Sequence, residues 1–228
     1  MAQALEVIEI ETGPAPRAAV IWLHGLGADG HDFEPIVPEL GLPAAKPVRF
    51  LFPNAPQRPV TINMGMRMRA WYDILQLGLQ DDGRAVVGAE DEAGIRESQA
   101  QIEELISGEV KRGIPHEKIV LAGFSQGGAI VLQTALRQNK RLAGLMALST
   151  YLPLSMTLAK ERAAANSDLP IFMAHGQYDN MIPLARAAHS RDMLQALGYA
   201  VDWHEYPMPH SVCPEEIAHI AAFLLRLL

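Results

Sequence analysis

The 228-residue chain has a single cysteine, Cys213, and few aromatic residues, 6% of the total. One cysteine excludes an internal disulfide and suits a reducing compartment. No stretch reaches the roughly 18 consecutive apolar residues of a membrane-spanning helix. The first residues lack the basic segment and apolar run of a secretory signal. We therefore expect a cytoplasmic protein without a membrane span.

Basic residues are also scarce, and the formal net charge is −7. No run of Lys and Arg and no basic aromatic stripe is present, which argues against a nucleic-acid partner. The sequence has no H-E-x-x-H, P-loop or G-x-G-x-x-G pattern, so we expect no metal and no bound nucleotide. Apolar residues make up 49% of the chain, enough for a sizeable core, and we expect one domain over residues 1–228.

Short runs rich in β-branched residues alternate with longer helical patterns. The predicted strands are 7–11, 18–23, 48–52, 119–122, 144–148, 170–174 and 201–206. The predicted helices are 92–111, 127–136, 184–197 and 214–228. This alternation predicts an α/β fold with a mostly parallel central sheet and helices on both faces. Residues 53–88 lack periodicity and predict a functional loop with some local structure.

The sequence Gly123-Phe124-Ser125-Gln126-Gly127 matches the G-x-S-x-G pattern, between a predicted strand and a predicted helix. A nucleophile elbow turns sharply from strand to helix, and glycines remove the Cβ atoms that would collide there. This context predicts an α/β-hydrolase fold with Ser125 as the nucleophile. A glycine-rich turn without chemistry is the weaker alternative.

A second glycine-rich loop, His24-Gly25-Leu26-Gly27, directly follows the strand predicted at 18–23. Acyl transfer requires backbone N–H groups that stabilise the developing oxyanion. In this fold one donor follows the nucleophile and the other lies after an early strand. We therefore predict Gln126 and Leu26 as the oxyanion donors and interpret His24 as a structural residue.

The acid and the base of the triad follow the nucleophile in the chain. Asp179 comes shortly after the strand predicted at 170–174, and His210 lies on the loop after the last strand. Both positions are at the carboxyl edge of the sheet, where ligands bind in open α/β sheets. We predict acyl transfer through Ser125, His210 and Asp179. Catalysis by Cys213 and an inactive binding module on the same fold are weaker alternatives.

Several segments together resemble the phospholipase/carboxylesterase family, which includes bacterial carboxylesterases and eukaryotic acyl-protein thioesterases. They are VIWLHGLGADGHDF, FPNAPQRPVTINMGMRMRAWYDI, IVLAGFSQGGAIVLQTAL, MALSTYLPL, HGQYDNMIP and HEYPMPHSVCPEEI. The resemblance is greatest to the bacterial carboxylesterases. It implies the same triad and donors, no large cap domain and no cofactor. Since family members often form dimers, a homodimer is a candidate assembly.

The substrate predicted from these patterns is a small-molecule or lipid ester. We favour a carboxylesterase acting on short to medium acyl chains, with an acyl-protein thioesterase or lysophospholipase as the alternative. The resemblance suggests that the methionine-rich segment around Met66, with Trp71, helps to line the acyl site. Packing beneath the loop is an equal alternative for the methionines. Pro209 stands where many relatives carry glycine before the catalytic histidine, so the loop must accommodate its fixed φ.

Overall fold

The computed structural model describes residues 4–75 and 90–228. In these ranges a seven-stranded sheet forms the centre of the molecule and a two-stranded hairpin lies apart from it. The strands of the large sheet are β1 (Val7–Glu11), β2 (Ala18–Leu23), β3 (Val48–Pro53), β6 (Ile119–Phe124), β7 (Gly144–Leu148), β8 (Ile171–Gly176) and β9 (Val201–Tyr206). The hairpin consists of β4 (Gln57–Val60) and β5 (Met66–Arg69).

The large sheet has the order β1-β3-β2-β6-β7-β8-β9. β1 pairs antiparallel with β3, and every other neighbouring pair is parallel. In the central pair, Ala19 lies opposite Ile119 and Leu23 opposite Gly123. Because these strands are parallel, the loops that follow β2, β6, β8 and β9 all emerge at one edge of the sheet.

Six α-helices are present in the described ranges. They are α1 (Ile36–Glu39), α2 (Glu92–Lys111), α3 (Gln126–Arg137), α4 (Ser155–Glu161), α5 (Leu184–Ala196) and α6 (Pro214–Leu227). Apolar residues of α2, α3, α4 and α5 pack in one buried cluster, and those of α1 and α6 pack in another. The sheet separates these two layers, as in other folds with helices on both faces.

Alternating side chains of the central strands supply both layers. In β2, Ala19, Ile21 and Leu23 belong to the first cluster, whereas Val20 and Trp22 belong to the second. All six residues of β2 are buried. Such a continuous apolar run is typical of a parallel strand covered on both faces. Strand β2 could therefore be predicted from the sequence.

The prediction of an α/β-hydrolase fold agrees with this architecture, and the predicted strands match the observed ones to within two residues at each end. Two short helices, α1 and α4, were not predicted. The region expected to be irregular contains the β4–β5 hairpin, and its residues 76–88 lie outside the described ranges. No separate cap domain covers the sheet within residues 4–75 and 90–228. None of the helices described there is long and apolar enough to cross a membrane.

Candidate active site

Ser125 lies between β6 and α3 in a backbone conformation that is rare for a residue with a side chain, with φ 55° and ψ −120°. Three hydrogen bonds hold this turn. The Ser125 N–H donates to the Leu148 carbonyl over 2.9 Å, and its carbonyl accepts from Thr150 Oγ1 over 2.6 Å and from the Ala129 N–H over 3.2 Å. The strain is therefore maintained by the neighbouring strand β7 and by the helix itself.

Three glycines make the sharp turn sterically accessible. A Cβ on Gly123 would overlap the backbone of Gly127, and one on Gly127 would lie 2.5 Å from the Leu23 carbonyl oxygen. A Cβ on Gly128 would lie 2.7 Å from the Thr150 side chain. Gly127 therefore allows the start of α3 to rest directly on the end of β2.

A continuous chain of hydrogen bonds joins the three residues of the predicted triad. His210 Nε2 lies 2.9 Å from Ser125 Oγ, and His210 Nδ1 lies 2.6 Å from Asp179 Oδ2. Because the carboxylate can only accept, Nδ1 carries the proton and Nε2 is free to accept from the serine hydroxyl. This is the tautomer that a general base needs.

Asp179 is buried, and every one of its carboxylate contacts is with a donor. Oδ1 accepts from the N–H groups of Met181 and Ile182 over 2.8 and 2.9 Å. Oδ2 accepts from His210 and lies 3.3 Å from Nε2 of His175. His175 is fully buried and also donates to the Ile182 carbonyl over 2.7 Å. Burial lowers the pKa of its imidazole, so His175 orders this loop as a neutral side chain.

The loops carrying Asp179 and His210 are joined backbone to backbone. The Gln177 and Tyr178 N–H groups donate to the Tyr206 and Met208 carbonyls over 2.8 and 3.0 Å. A Cβ on Gly176 would overlap the carbonyl oxygens of Met208 and Pro209. The Pro209 carbonyl accepts the Ser211 N–H over 2.9 Å, and His210 contacts both Ser125 and Asp179 with proline at this position.

Leu26 and Gln126, the predicted oxyanion donors, follow the two adjacent strands β2 and β6. A Cβ on Gly25 would lie 3.4 Å from the Cβ of Ser125, so the Leu26 loop passes close to the serine. Within residues 4–75 and 90–228, neither the Leu26 nor the Gln126 N–H donates to a backbone acceptor. Gln126 is also the first residue of α3, where the helix dipole favours negative charge.

The chain is similar to known proteins over nearly its whole length. A model of the phospholipase/carboxylesterase family matches residues 4–228. The chain belongs to this family. Acyl-protein thioesterase 1 of Gibberella zeae is 42% identical over 215 residues, which cover 92% of this chain and 91% of that protein. The protein of the same name from Mycosarcoma maydis is 42% identical over 236 residues, covering 97% and 96% of the two chains.

Solved structures support the same relationship. Acyl-protein thioesterase 2 of Zea mays superposes with a TM-score of 0.84 at 26% identity, covering 97% of this chain and 98% of that one. SOBER1 of Arabidopsis thaliana gives a TM-score of 0.84 at 29% identity, covering 92% and 98%. This member of the phospholipase/carboxylesterase family therefore has the α/β-hydrolase fold, and the family consists of hydrolases that act on esters.

The loop of residues 24–27 carries the predicted donor Leu26, and we call it the oxyanion loop. Its histidine, His24, is buried and fully hydrogen-bonded. Its Nε2 accepts from the Ala55 N–H over 3.0 Å, and its Nδ1 donates to the Gly25 carbonyl over 2.7 Å. Burial lowers the pKa of His24, although the bond to Gly25 opposes this shift. The side chain is therefore a neutral link between the loop and the residues that follow β3.

The prediction that Trp71 lines the acyl site is wrong for this conformation. Its side chain is fully buried, so its ring is inaccessible to a substrate. Met66, the other predicted residue, is 61% exposed on β5. Met66 thus remains a candidate for substrate contact, whereas Trp71 contacts the oxyanion loop from within the core.

Motifs alone did not indicate some supporting residues. Asn54 accepts the Gly30 N–H over 2.8 Å and donates to Glu6 over 2.9 Å, tying the end of the oxyanion loop to the start of the chain. Thr150, two residues after β7, donates to the Ser125 carbonyl and supports the serine turn. The segments FPNAP and ALSTY, which carry part of the family resemblance, contain these two residues and were the available signal.

Proposed function

We propose that this family member is a serine hydrolase that cleaves acyl thioesters and esters through an acyl-enzyme on Ser125. The observation that carries this proposal is the hydrogen-bond chain from Ser125 Oγ through His210 to Asp179, with distances of 2.9 and 2.6 Å. Nucleophile, base and orienting acid in such contact are the arrangement that activates a serine hydroxyl.

In the first step His210 Nε2 removes the hydroxyl proton as Ser125 Oγ attacks the acyl carbon. The carbonyl oxygen becomes an oxyanion that accepts from the Leu26 and Gln126 N–H groups. His210 then protonates the leaving thiolate or alkoxide, and the bond to the leaving group breaks. Water attacks the acyl-enzyme by the same route and releases the acid. Asp179 stabilises the imidazolium form of His210 throughout.

The leaving group that we favour is a thiol. The curated relatives described above carry the name acyl-protein thioesterase at 42% identity over more than nine-tenths of this chain. The sequence motifs had favoured a carboxylesterase with the thioesterase as the alternative, and these relatives reverse that order. Oxygen esters remain substrates in this proposal because the same triad and oxyanion donors serve both.

Apolar side chains exposed near the carboxyl edge provide a surface for the acyl chain. Met66 on β5 and Met181 in the Asp179 loop are 61% and 64% exposed. Methionine adapts to irregular apolar partners. Met66→Ala should therefore shift the chain-length preference, whereas an unchanged preference would remove Met66 from the substrate groove.

The test compares wild type with Ser125→Ala on p-nitrophenyl esters from acetate to palmitate and on a palmitoyl thioester. Activity should fall to near background in Ser125→Ala, and the wild-type kcat/KM should be highest for the thioester. Cys213→Ser is the matched control, since it removes the alternative nucleophile and should retain activity. Full activity in Ser125→Ala would overturn the mechanism. A preference for short oxygen esters would restore the carboxylesterase assignment.

The homodimer implied by the family resemblance is also a proposal. Light scattering coupled to size exclusion should give twice the chain mass of 24.9 kDa. A monomeric mass at micromolar concentration would exclude the dimer.

A further inference from the structure

Trp71 lies fully buried between the hairpin and α2, and all its polar groups are hydrogen-bonded. Its N–H donates to Gln126 Oε1 over 2.8 Å, and its indole Nε1 donates to the His24 carbonyl over 2.9 Å. Its carbonyl accepts from the hydroxyl of Ser98 on α2. A buried tryptophan typically has a partner for its N–H, but this one binds both segments that carry the oxyanion donors.

The first of these segments, residues 24–27, is held at both ends by the end of the hairpin. At one end, the His24 carbonyl accepts from Trp71 Nε1. At the other end, the Gly27 N–H donates to the Arg69 carbonyl over 2.9 Å. Leu26 lies between these two attachment points, so the position of its N–H depends on residues 69–71.

The second segment begins at Gln126, whose side chain is buried. Besides accepting from the Trp71 N–H, Gln126 donates from Nε2 to the Tyr72 carbonyl over 2.7 Å. The primary amide thus binds residues 71–72 at two points, as a neighbouring strand would. The backbone N–H of the same glutamine is the second proposed oxyanion donor.

We propose that Trp71 is a positioning residue of the oxyanion hole, joining its two donor-bearing segments at a fixed separation. This inference rests on the proposed function, because the hole exists only if Leu26 and Gln126 bind the oxyanion. Trp71 alone makes both contacts, because its side chain donates to the His24 carbonyl and its backbone N–H donates to the Gln126 side-chain amide.

The kinetic consequence follows from when the donors act. Oxyanion donors stabilise charge that develops in the transition state and contribute little to ground-state binding. Removing the Trp71 indole N–H leaves the His24 carbonyl buried without that donor and releases one end of the Leu26 loop. The loss should therefore appear in kcat and leave KM nearly unchanged.

The chain contains a matched control for this change. Trp22 is also fully buried, but it lies in the opposite core layer. Among the described residues, Trp22 Nε1 has no hydrogen-bond partner. Trp22→Phe therefore removes the same atoms from a buried site without removing a hydrogen bond.

The experiment measures kcat, KM and thermal stability of wild type, Trp71→Phe and Trp22→Phe with p-nitrophenyl butyrate. Removal of a whole donor typically lowers kcat about 10²–10³-fold. For Trp71→Phe we expect roughly a 10- to 100-fold loss in kcat beyond that of Trp22→Phe, with KM within about twofold of wild type. The Ki of a trifluoromethyl ketone, whose adduct presents an oxyanion, should rise by a similar factor in Trp71→Phe only.

Equal kcat values for the two phenylalanine variants would overturn the inference. If Trp71→Phe does not fold, 3-benzothienylalanine at position 71 keeps the ring shape and lacks the N–H, and the same comparison applies. These outcomes are distinct from failure of the proposed function, which would appear as full activity in Ser125→Ala. Wild type could be active and Ser125→Ala inactive while Trp71→Phe has the same kcat as Trp22→Phe. That result would reject only the positioning role of Trp71.

Discussion

The two sides of the candidate active site are built in different ways. On the triad side, Ser125, Asp179 and His210 each follow a strand, and their loops are linked largely through neighbouring backbone groups. On the oxyanion side, the segments that carry Leu26 and Gln126 are held by two buried residues, His24 within the loop itself and Trp71 from beyond the hairpin.

Because of this difference, substitutions on the two sides of the site should have different effects. In the proposed mechanism the triad side contains the groups that transfer protons and form the covalent bond, so substitutions there should remove activity directly. The oxyanion side contributes backbone N–H groups whose placement is distributed over several hydrogen bonds. Variants on the oxyanion side should lose less activity than variants on the triad side, and they should also lose stability.

The largest effect expected in this comparison is that of Asp179→Asn. The amide no longer enforces the His210 tautomer with its proton on Nδ1, and kcat should fall about 10⁴-fold with little change in fold. Steady-state kinetics and circular dichroism measure the two properties. Asp168→Asn, an exposed aspartate at the opposite edge, is the control and should remain active. A loss of less than tenfold in Asp179→Asn would reject its role as the orienting acid.

A smaller effect should follow from Gly176→Ala, which substitutes no residue of the triad. The added methyl group would meet the carbonyl oxygens of Met208 and Pro209 and displace the His210 loop. A displacement of about 1 Å can cost roughly 10²-fold in rate. In Gly108→Ala, the methyl group enters open space on α2, so its activity should equal that of wild type. Equal kcat in both variants would show that the two loops adjust freely.

On the oxyanion side, His24→Ala should lower kcat by roughly tenfold and the free energy of unfolding by about 2–3 kcal/mol. It leaves the Ala55 N–H and the Gly25 carbonyl without their ring partners. Denaturant unfolding and kinetics would measure both changes. His31→Ala is the control, because His31 is an exposed histidine near the same loop. If His24→Ala were as stable as wild type, the hydrogen bonds of His24 would not be needed to hold the oxyanion side.

The same variant has a pH signature. Burial lowers the folded-state pKa of His24 below its ordinary value of 6.5. The unfolded chain therefore binds a proton below about pH 6.5 that the folded chain does not, and wild type loses stability on acidification. His24→Ala should lose less stability than wild type does when the pH falls below about 6.5.

The smallest effect on kcat is expected for Glu216→Gln, which concerns the helix after the His210 loop. Burial raises the pKa of Glu216 to about 8. The unfolded chain releases this proton above about pH 4.5, so wild-type stability from this group declines as pH rises from 4.5 to 8. At pH 8.5 the free energy of unfolding of Glu216→Gln should exceed that of wild type by about a few kcal/mol at most. Near pH 4.5 the two proteins should be equally stable.

Glu215→Gln, an exposed change in the same turn of α6, retains Glu216 and should therefore lose stability between pH 4.5 and pH 8 as wild type does. Equal stabilities of wild type and Glu216→Gln at pH 8.5 would indicate that the buried carboxyl has a compensating donor. In either case kcat should stay within about twofold of wild type, since Glu216 is outside the proposed catalytic groups.

The sequence indicated candidate residues on both sides of the site, but it did not indicate how Trp71 contacts the oxyanion side. Buried parallel strands appear as continuous apolar runs, and G-x-S-x-G encodes the turn at Ser125 in adjacent residues. The order of nucleophile, acid and base then left Asp179 and His210 as the best candidates. Each of these signals is local, or follows a fixed order along the chain.

The role of Trp71 could not be deduced in this way. Its partners His24 and Gln126 are distant in the chain, and only the assembled fold shows that the tryptophan is buried in contact with both. The β4–β5 hairpin was missed for a similar reason, because Pro59 and Gly65 interrupt the alternation that predicts strands. Helix α4 is short, and its position depends on the Glu161 contacts with Arg96 and Arg137.

The pairing of β2 with β6 also affects how activity arises during folding. Ala19 lies opposite Ile119 in this pair, and the two proposed donors follow its two strands. Contacts between residues so far apart in the chain close slowly, whereas helices form from local contacts. In a refolding experiment, recovery of hydrolysis should report when β2 and β6 have paired, and it should lag behind recovery of the helical signal.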